Sequence, residues 1–285
     1  MASAWVLTDR RYLGQRMPSA LIDWLRSEGH PPAIVVADED ARLTSIAPLS
    51  GPHSAWAGLQ PGDVVVTRTR DPYALALLEE AEARGARALD EAQAIHRVRD
   101  KVRCALGLAS RGLPVPPTLL AHGPGDLYEL PASMFPLAVK PVLGDNARGV
   151  WVVADKDELD SVEWHAGPHL GQAYVDAGGF DLKLYVAGDA VWATRRPGPL
   201  SELDAPVTRV AVTPALRRIA EGCRAEFGLR LFGVDVLESA GRLAIVDVNE
   251  FPNYTGVDEA PAAIGALVLE QAARSRGAAR DAMTV

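Results

Sequence analysis

Between Leu231 and Asn249 lie two apolar runs, each holding an aspartate between two valines. The first run is Leu231-Phe232-Gly233-Val234-Asp235-Val236-Leu237 and the second runs from Leu243 to Asn249. Strand side chains point to alternate faces, so two such runs around a glycine-containing turn predict an antiparallel hairpin with one apolar face. A three-residue loop, Ala240-Gly241-Arg242, sets Ser239 against Leu243, Val234 against Val248, Val236 against Val246 and Asp235 against Asp247. A slip of one residue would push an aspartate into the apolar face, at a cost that no cross-strand pair offsets. The pattern therefore selects the register that gathers Asp235, Asp247 and Asn249, with Ile245, on one surface. Two carboxylates and an amide oxygen are hard ligands that suit magnesium, and paired carboxylates repel unless a cation or proton intervenes. Taken alone, the hairpin is read equally well as an exposed strand face with incidental acids.

Upstream, Leu137-Ala138-Val139-Lys140-Pro141 places a lysine inside an apolar strand, where it needs an anionic partner. A loop from Gly144 to Gly149 follows, before a strand at Val150 to Val153. Such glycines let backbone N–H groups turn toward phosphate oxygens, although most loops of this kind merely turn hairpins. No Gly-Lys-Ser/Thr opens a helix, so this is not a P-loop. Short strands at Trp5 to Leu7, Ala33 to Val36 and Asp63 to Thr67 alternate with helical stretches at Leu21 to Leu25 and Tyr73 to Arg84, which predicts a small parallel α/β sheet. No Gly-x-Gly-x-x-Gly follows the first strand. A helix is expected from Asp90 to Gly112, where Pro114 and Pro116 forbid continuation. Hairpin strands are expected at Leu182 to Ala187 and Ala190 to Thr194, a short strand at Gln172 to Val175, and helices from Thr213 to about Glu226 and from Ala263 to Arg274.

The 285 residues carry a net charge of -8, which argues against a nucleic-acid partner. Cys104 and Cys223 are too few for a disulfide framework and read as reduced, partly buried thiols. His165 and His169 lie four apart, but Gly167-Pro168 breaks any helix between them, so a zinc pair is not expected. No apolar run is long enough for a membrane span, and Met1 to Trp5 lacks a signal-peptide pattern. The expectation is a cytoplasmic protein without a membrane partner.

In order along residues 90 to 260, four segments resemble the ATP-grasp superfamily. Arg99-Asp100-Lys101 with Gly112-Leu113-Pro114-Val115-Pro116 is similar to the start of its nucleotide domain. Ala138 to Pro141 with Gly144 to Gly149 looks like its second ATP lysine and phosphate loop. Gln172-Ala173-Tyr174-Val175 resembles its adenine hinge, with Asp181-Leu182-Lys183 after it. Gly233-Val234-Asp235 with Asp247-Val248-Asn249 resembles its metal motif. The resemblance implies an α/β (α+β) ATP-grasp fold: an N-terminal α/β domain at 1–90, a central lobe at 91–173 and a C-terminal lobe with the metal site at 174–285. It implies ATP as co-substrate, held by Lys101, Lys140, Gly144, Gly149, Gln172, Tyr174, Val175 and Asp181. It implies one or two magnesium ions, with manganese as a substitute, on Asp235, Asp247 and Asn249. Arg196 and Lys183 would stabilise charge on the transferring phosphoryl group. Ala173 departs from the usual acidic hinge residue, Lys183 from an arginine and Asp247 from a glutamate.

Two reactions remain open. RimK- and LysX-like ligases activate a carboxylate as an acyl phosphate and pass it to an amine. ATP-grasp inositol phosphate kinases phosphorylate a hydroxyl; Asp247-Val248-Asn249 followed by Phe251-Pro252 and Tyr254 resembles them. A highly phosphorylated substrate would need a basic cluster, for which Arg10, Arg11, Arg16, Arg68 and Arg70 are candidates. The ligase is the preferred reading, acting on a small molecule or peptide, with a homo-oligomer left open.

Overall fold

Three sheets carry the chain in a computed structural model that describes residues 3–40, 43–45, 54–144 and 149–282, with side chains of the last helix described as far as Ser275. The first sheet contains β1 (Ala4–Thr8), β2 (Ala33–Val36), β3 (Val64–Arg68) and β4 (Arg87–Ala88), all parallel in the order β2-β1-β3-β4. Its connections include α1 (Arg10–Leu13), α2 (Arg16–Ser27) and α3 (Pro72–Ala83). Every residue of β1 and β3 is buried, as a parallel sheet covered on both faces requires.

Two helices follow, α4 (Ala92–Arg99) and α5 (Lys101–Ser110). The sequence suggests one continuous helix here, but the chain breaks at Asp100. Its backbone is extended (φ -80°, ψ 104°), and its carboxylate accepts from Val102 and Arg103 N–H, both at 3.0 Å, as the N-cap of α5. Lys101 N–H donates to Val142 O at 3.1 Å, and Asp100 forms a bridge with Leu143. The break therefore places Lys101 at the first turn of a new helix, beside the lysine strand.

The central sheet is antiparallel, in the order β5-β8-β6-β7, from β5 (Thr118–Ala121), β6 (Leu137–Pro141), β7 (Trp151–Val153) and β8 (His169–Ala173), with α6 (Pro124–Tyr128) beside it. β8 starts and ends earlier than expected, leaving Tyr174 and Val175 beyond its end. The third sheet runs β11-β10-β9-β12-β13, from β9 (Phe180–Ala187), β10 (Ala190–Pro197), β11 (Thr208–Val210), β12 (Leu231–Ser239) and β13 (Arg242–Glu250). Between β11 and β12 lies α7 (Pro214–Phe227), capped by Thr213 at its start and by Gly228 at φ 75° at its end. The last helix is α8 (Ala260–Ala282).

The hairpin of β12 and β13 keeps the expected pairs Val234–Val248 and Asp235–Asp247 but reaches them differently. The turn has two residues, Ala240 (φ 49°) and Gly241 (φ 73°), so Ser239 pairs with Arg242 rather than Leu243. A register shift between Asp235 and Val236 then sets Val236 opposite Ile245, and Val246 is the extra residue. Ile245 goes into the core with no exposed surface, and its N–H donates to Pro114 O at 2.6 Å. Val246 turns to the opposite face instead. The pairing of Val236 with Val246, and Ile245 on the acid face, are thereby corrected.

One large apolar cluster joins the first and third sheets, from Trp5, Leu7 and Val65 to Leu184, Val234 and Ile245; a second joins α2 and α8 to Tyr185, Phe251 and Tyr254. The central sheet has its own cluster, from Ala121 to Val162. Cys104 and Cys223 are free and buried in the first cluster. No helix among the described residues is long and apolar enough to cross a membrane.

Asp90 fastens the N-terminal sheet to the strand that carries Asp235. Its buried carboxylate accepts from the N–H groups of Arg230 and Leu231 at the start of β12. Burial pushes this carboxyl up to about 7, against the backbone hydrogen bonds, which lower it. The folded state therefore holds a proton that the unfolded chain has released above pH ~4. The resulting stability is present at acid pH and lost as the pH rises toward 7. Asp90→Asn keeps an oxygen acceptor and removes the titration. In urea melts, the variant should gain on the wild type by on the order of 2–4 kcal/mol between pH 4 and 8; a pH-independent difference would refute this assignment.

Candidate active site

The face of the third sheet away from α7 carries a transverse row of polar side chains. Thr194, Lys183, Asp235 and Asp247 are successive cross-strand partners on β10, β9, β12 and β13, and Arg196 is the partner of Asp181 in the neighbouring row. Asp235 Oδ2 accepts from Lys183 Nζ at 2.8 Å and from Asn249 Nδ2 at 2.9 Å, while Oδ1 accepts from Arg196 Nη2 at 3.1 Å. Burial alone would raise the Asp235 carboxyl. The charges of Lys183 and Arg196 outweigh it and hold the group below its ordinary value. Asp181 has less compensation: burial and the charge of Asp235 raise it to about 6. Gly233 is small for a reason that sequence alone does not reveal. A Cβ there would lie 2.8 Å from Lys183 Cε and 3.2 Å from Pro252 Cγ, so the missing side chain makes room for the lysine.

From the central sheet, Lys140 reaches across to the bulge. Its Nζ donates to Gln172 Oε1 at 2.9 Å and to Val246 O at 3.0 Å. Burial pulls its ammonium below the ordinary lysine value, against the attraction of Asp247. Gln172 donates in turn to Thr118 Oγ1 at 2.8 Å, so both ends of its amide are used in orienting the lysine. Lys101 Nζ lies 3.6 Å from Asp247 Oδ1 and 3.4 Å from Gly144 O. Tyr174 commits its N–H to Pro136 O at 3.0 Å.

These groups line one cleft of about 480 Å³, within the range of small-molecule sites. Of the residues anticipated from sequence, Lys101, Lys140, Gly144, Gln172, Tyr174, Val175, Asp181, Lys183, Arg196, Asp235, Asp247 and Asn249 all border it. Gly149 does not; it sits at φ 71° against His165. Asp145 to Arg148 of the anticipated phosphate loop lie outside the described residues.

The first sheet supplies a wall that the hairpin pattern does not foretell. Arg68, Arg70 and Tyr12 border the same cleft. Arg70 Nη2 donates to Asn249 Oδ1 at 3.0 Å, and its Nη1 lies 3.3 Å from Glu250 Oε2. Buried Glu250 also binds Arg99 at 2.9 Å. Sequence reading passed over Glu250; its signal is a carboxylate between Val248 and Phe251 in an apolar run, which burial obliges to find a cation. The anticipated basic cluster assembles only in part: Arg68 and Arg70 border the cleft, and Arg11 joins Arg68 at the Tyr12 ring. Arg16 donates to the carbonyls of Asn253, Tyr254 and Val257, and Arg10 pairs with Glu39 at the surface.

The donor set suits magnesium and ATP. Among the described residues no three His, Cys, Asp or Glu side chains converge on an ion position. Asp235 and Asp247 offer two carboxylates side by side, the number typical of a magnesium ion that completes its shell with water and phosphate oxygens. Buried Lys140 donates to two uncharged oxygens, and Lys101 stands across Asp247 from it, a pair of ammonium groups fitted to a polyanion.

Known proteins share this fold. The family model for the RimK-like ATP-grasp domain matches residues 98–266. A probable alpha-L-glutamate ligase of Stutzerimonas stutzeri is 32% identical over 201 residues, 66% of this chain and 67% of that one. A probable alpha-L-glutamate ligase 2 of Hahella chejuensis is 30% identical over 262 residues, covering 85% and 86%. Among solved structures, a RimK domain ATP-grasp protein from Sphaerobacter thermophilus superposes with a TM-score of 0.74 at 20% identity, covering 95% of this chain and 99% of the other. The ATP-grasp ligase PsnB, bound to a precursor peptide and AMPPNP, does so at 0.70 and 19%, covering 95% and 97%. With its family domain matched over more than half its length and its fold shared end to end, the chain belongs to the RimK-like ATP-grasp family.

Proposed function

We propose that this protein is an ATP- and magnesium-dependent ligase that joins a carboxylate to an amine through an acyl phosphate. The observation that carries the reading is the Asp235 cluster, in which two carboxylates on adjacent strands face Lys183 and Arg196 at one end of a cleft and Lys101 and Lys140 at the other. Lys101 and Lys140 bind the phosphates of ATP. Tyr174, Val175 and Asp181 border the nucleoside, and Gln172 holds Lys140 in place. Asp235, Asp247 and Asn249 are the metal ligands. Magnesium, when bound there, neutralises charge on the phosphate oxygens.

Lys183 and Arg196 spend their hydrogen bonds on Asp235 in this structure, and both are within reach of the charge that develops as the γ-phosphoryl group moves. A carboxylate oxygen of the acid attacks the γ-phosphorus and ADP leaves. The amine then attacks the acyl carbon and gives up a proton, the bond from that carbon to the bridging oxygen breaks, and inorganic phosphate leaves carrying that oxygen. The three lobes divide near residues 90 and 173, with ATP between the central and C-terminal sheets. The relatives' names specify glutamate, which makes an amino acid the first substrate to try. A kinase is not favoured, because those relatives are ligases.

Asp247→Ala should abolish magnesium-dependent ATP turnover while leaving the circular dichroism spectrum unchanged; retention of turnover and metal affinity would remove Asp247 from the site. Arg196→Ala should lower kcat by about 10²–10³ with little change in KM for ATP. Incubation with ATP, magnesium, hydroxylamine and a panel of acids should yield a hydroxamate and free phosphate. A stable phosphorylated alcohol with ADP alone would establish the kinase instead.

A further inference from the structure

The amide of Asn249 is turned the wrong way for a metal ligand. Its Nδ2 faces Asp235, 2.9 Å from Oδ2, while its Oδ1 accepts from Arg70 Nη2 at 3.0 Å. The neighbours dictate this orientation. A guanidinium only donates and an ionised carboxylate only accepts. The opposite orientation would set donor against donor at Arg70 and oxygen against oxygen at Asp235. A cation shared by Asp235 and Asn249 needs an oxygen from each. While Arg70 stays where it is, the oxygen of Asn249 is taken, and by a positive charge.

Arg70 has a second place to go. Glu250, the residue after Asn249, is buried, and its two oxygens are unequally used. Oε1 accepts from Arg99 Nε at 2.9 Å, whereas Oε2 accepts no hydrogen bond among the described residues. Arg70 Nη1 lies 3.3 Å from Oε2, near enough for an ion pair but without the geometry of a hydrogen bond. A buried carboxylate oxygen without a donor is costly, and a full bond from Arg70 would relieve it. One guanidinium is thus drawn to two acceptors and satisfies one of them. The backbone beneath it is fastened: Asp9 Oδ2 accepts from Thr69 Oγ1 at 2.6 Å and from the N–H of Arg70 at 3.4 Å. Passing from one acceptor to the other is therefore a turn of the side chain alone.

Resting on the assignment of Asn249 as a metal ligand, we propose that Arg70 is a latch on the magnesium site. In one position it holds the oxygen of Asn249, as in this structure. In the other it bonds to Glu250 Oε2, and the amide is released to turn its oxygen to the ion. Metal binding then includes the cost of moving Arg70. The first sheet, through a residue just beyond the end of β3, sets the affinity of a site whose ligands all lie on the third sheet. Arg70 is a positioning residue that acts through Asn249.

The test measures Mn2+ binding by EPR, and Mg2+ by competition against it, on the intact protein saturated with AMPPNP, with AMPPNP alone as the blank. Arg70→Met should tighten metal binding by about tenfold or more, the worth of a competing charge-assisted hydrogen bond that no longer has to be broken. Arg70→Lys, which keeps a cation beside Glu250, is the variant to use if the methionine does not fold, and should tighten it by a smaller factor. Glu250→Gln weakens the second position and should loosen binding, the opposite sign. A merely structural role for Arg70 predicts looser binding in all three. Unchanged or looser binding in an Arg70 variant with the wild-type circular dichroism spectrum would overturn the latch and leave the metal ligands standing. Wild-type protein that takes up no more Mn2+ than AMPPNP alone would remove the metal assignment, and the latch with it. A crystal structure with AMPPNP and magnesium should show Arg70 on Glu250 Oε2 and Asn249 Oδ1 on the ion; Arg70 still bonded to Asn249 Oδ1 beside an occupied site would also overturn the latch.

Discussion

The carboxylate of Asp235 is placed where burial works against its charge, and the polar face of the third sheet is organised to keep it ionised. Lys183, Arg196 and Asn249 converge on its two oxygens from three different strands. Each of those strands must be in register for the set to form, because Lys183 faces Asp235 directly across the β9–β12 ladder. A one-residue slip in either ladder would turn the lysine into the apolar cluster and leave a buried acid unpaired, a penalty of several kcal/mol. Cluster and register thus fix one another. On the proposed ligase reading, a metal ion bound to the aspartate would free Lys183 and Arg196 for the phosphoryl group.

A second buried carboxylate binds the lobes together. Glu250 accepts from Arg99, at the end of α4, and lies beside Arg70, beyond the end of β3, while sitting on β13 itself. Arg99 also reaches Thr69 O. Three segments far apart in sequence meet in this one network, and each also carries or adjoins a cleft residue: Arg70, Lys101 and Asn249. Removing Glu250 would take a carboxylate from both Arg70 and Arg99, so its cost would fall on the site as well as on stability.

Four of the five strands of the third sheet were legible in the sequence, β11 was not, and the pairing of Asp235 with Asp247 followed from the valines that flank each aspartate. The turn and the bulge were not legible. Two errors of opposite sign, a loop counted one residue too long and a missing bulge, cancelled at the aspartates and survived at Ile245 and Val246. What decides between them is a tertiary contact, the bond from Ile245 N–H to Pro114 O, and no local pattern contains it. The break at Asp100 was hidden for a similar reason. Arg99-Asp100-Lys101 is compatible with an unbroken helix, and the cap wins because Lys101 N–H finds Val142 O. Arg68 and Arg70 were visible only as members of a basic list. Their place on the cleft, with Arg10 out at the surface beside Glu39, depends on the fold.

The distribution of apolar clusters bears on how the cleft operates. The first and third sheets share their core, so Arg68, Arg70 and Asp235 are held in fixed relation. The central sheet closes over its own apolar cluster, whose buried members among the described residues run from Ala121 to Val162. Polar contacts join its lysine strand to the rest, among them Lys140 Nζ to Val246 O and Lys101 N–H to Val142 O. A lobe attached in this way can shift without exposing a shared core, whereas the arginine wall cannot. The bulge enters here too. By turning Val246 outward it offers Lys140 a carbonyl, so the irregularity in β13 that the sequence conceals is what brings the ammonium of the central lobe to within reach of Asp247.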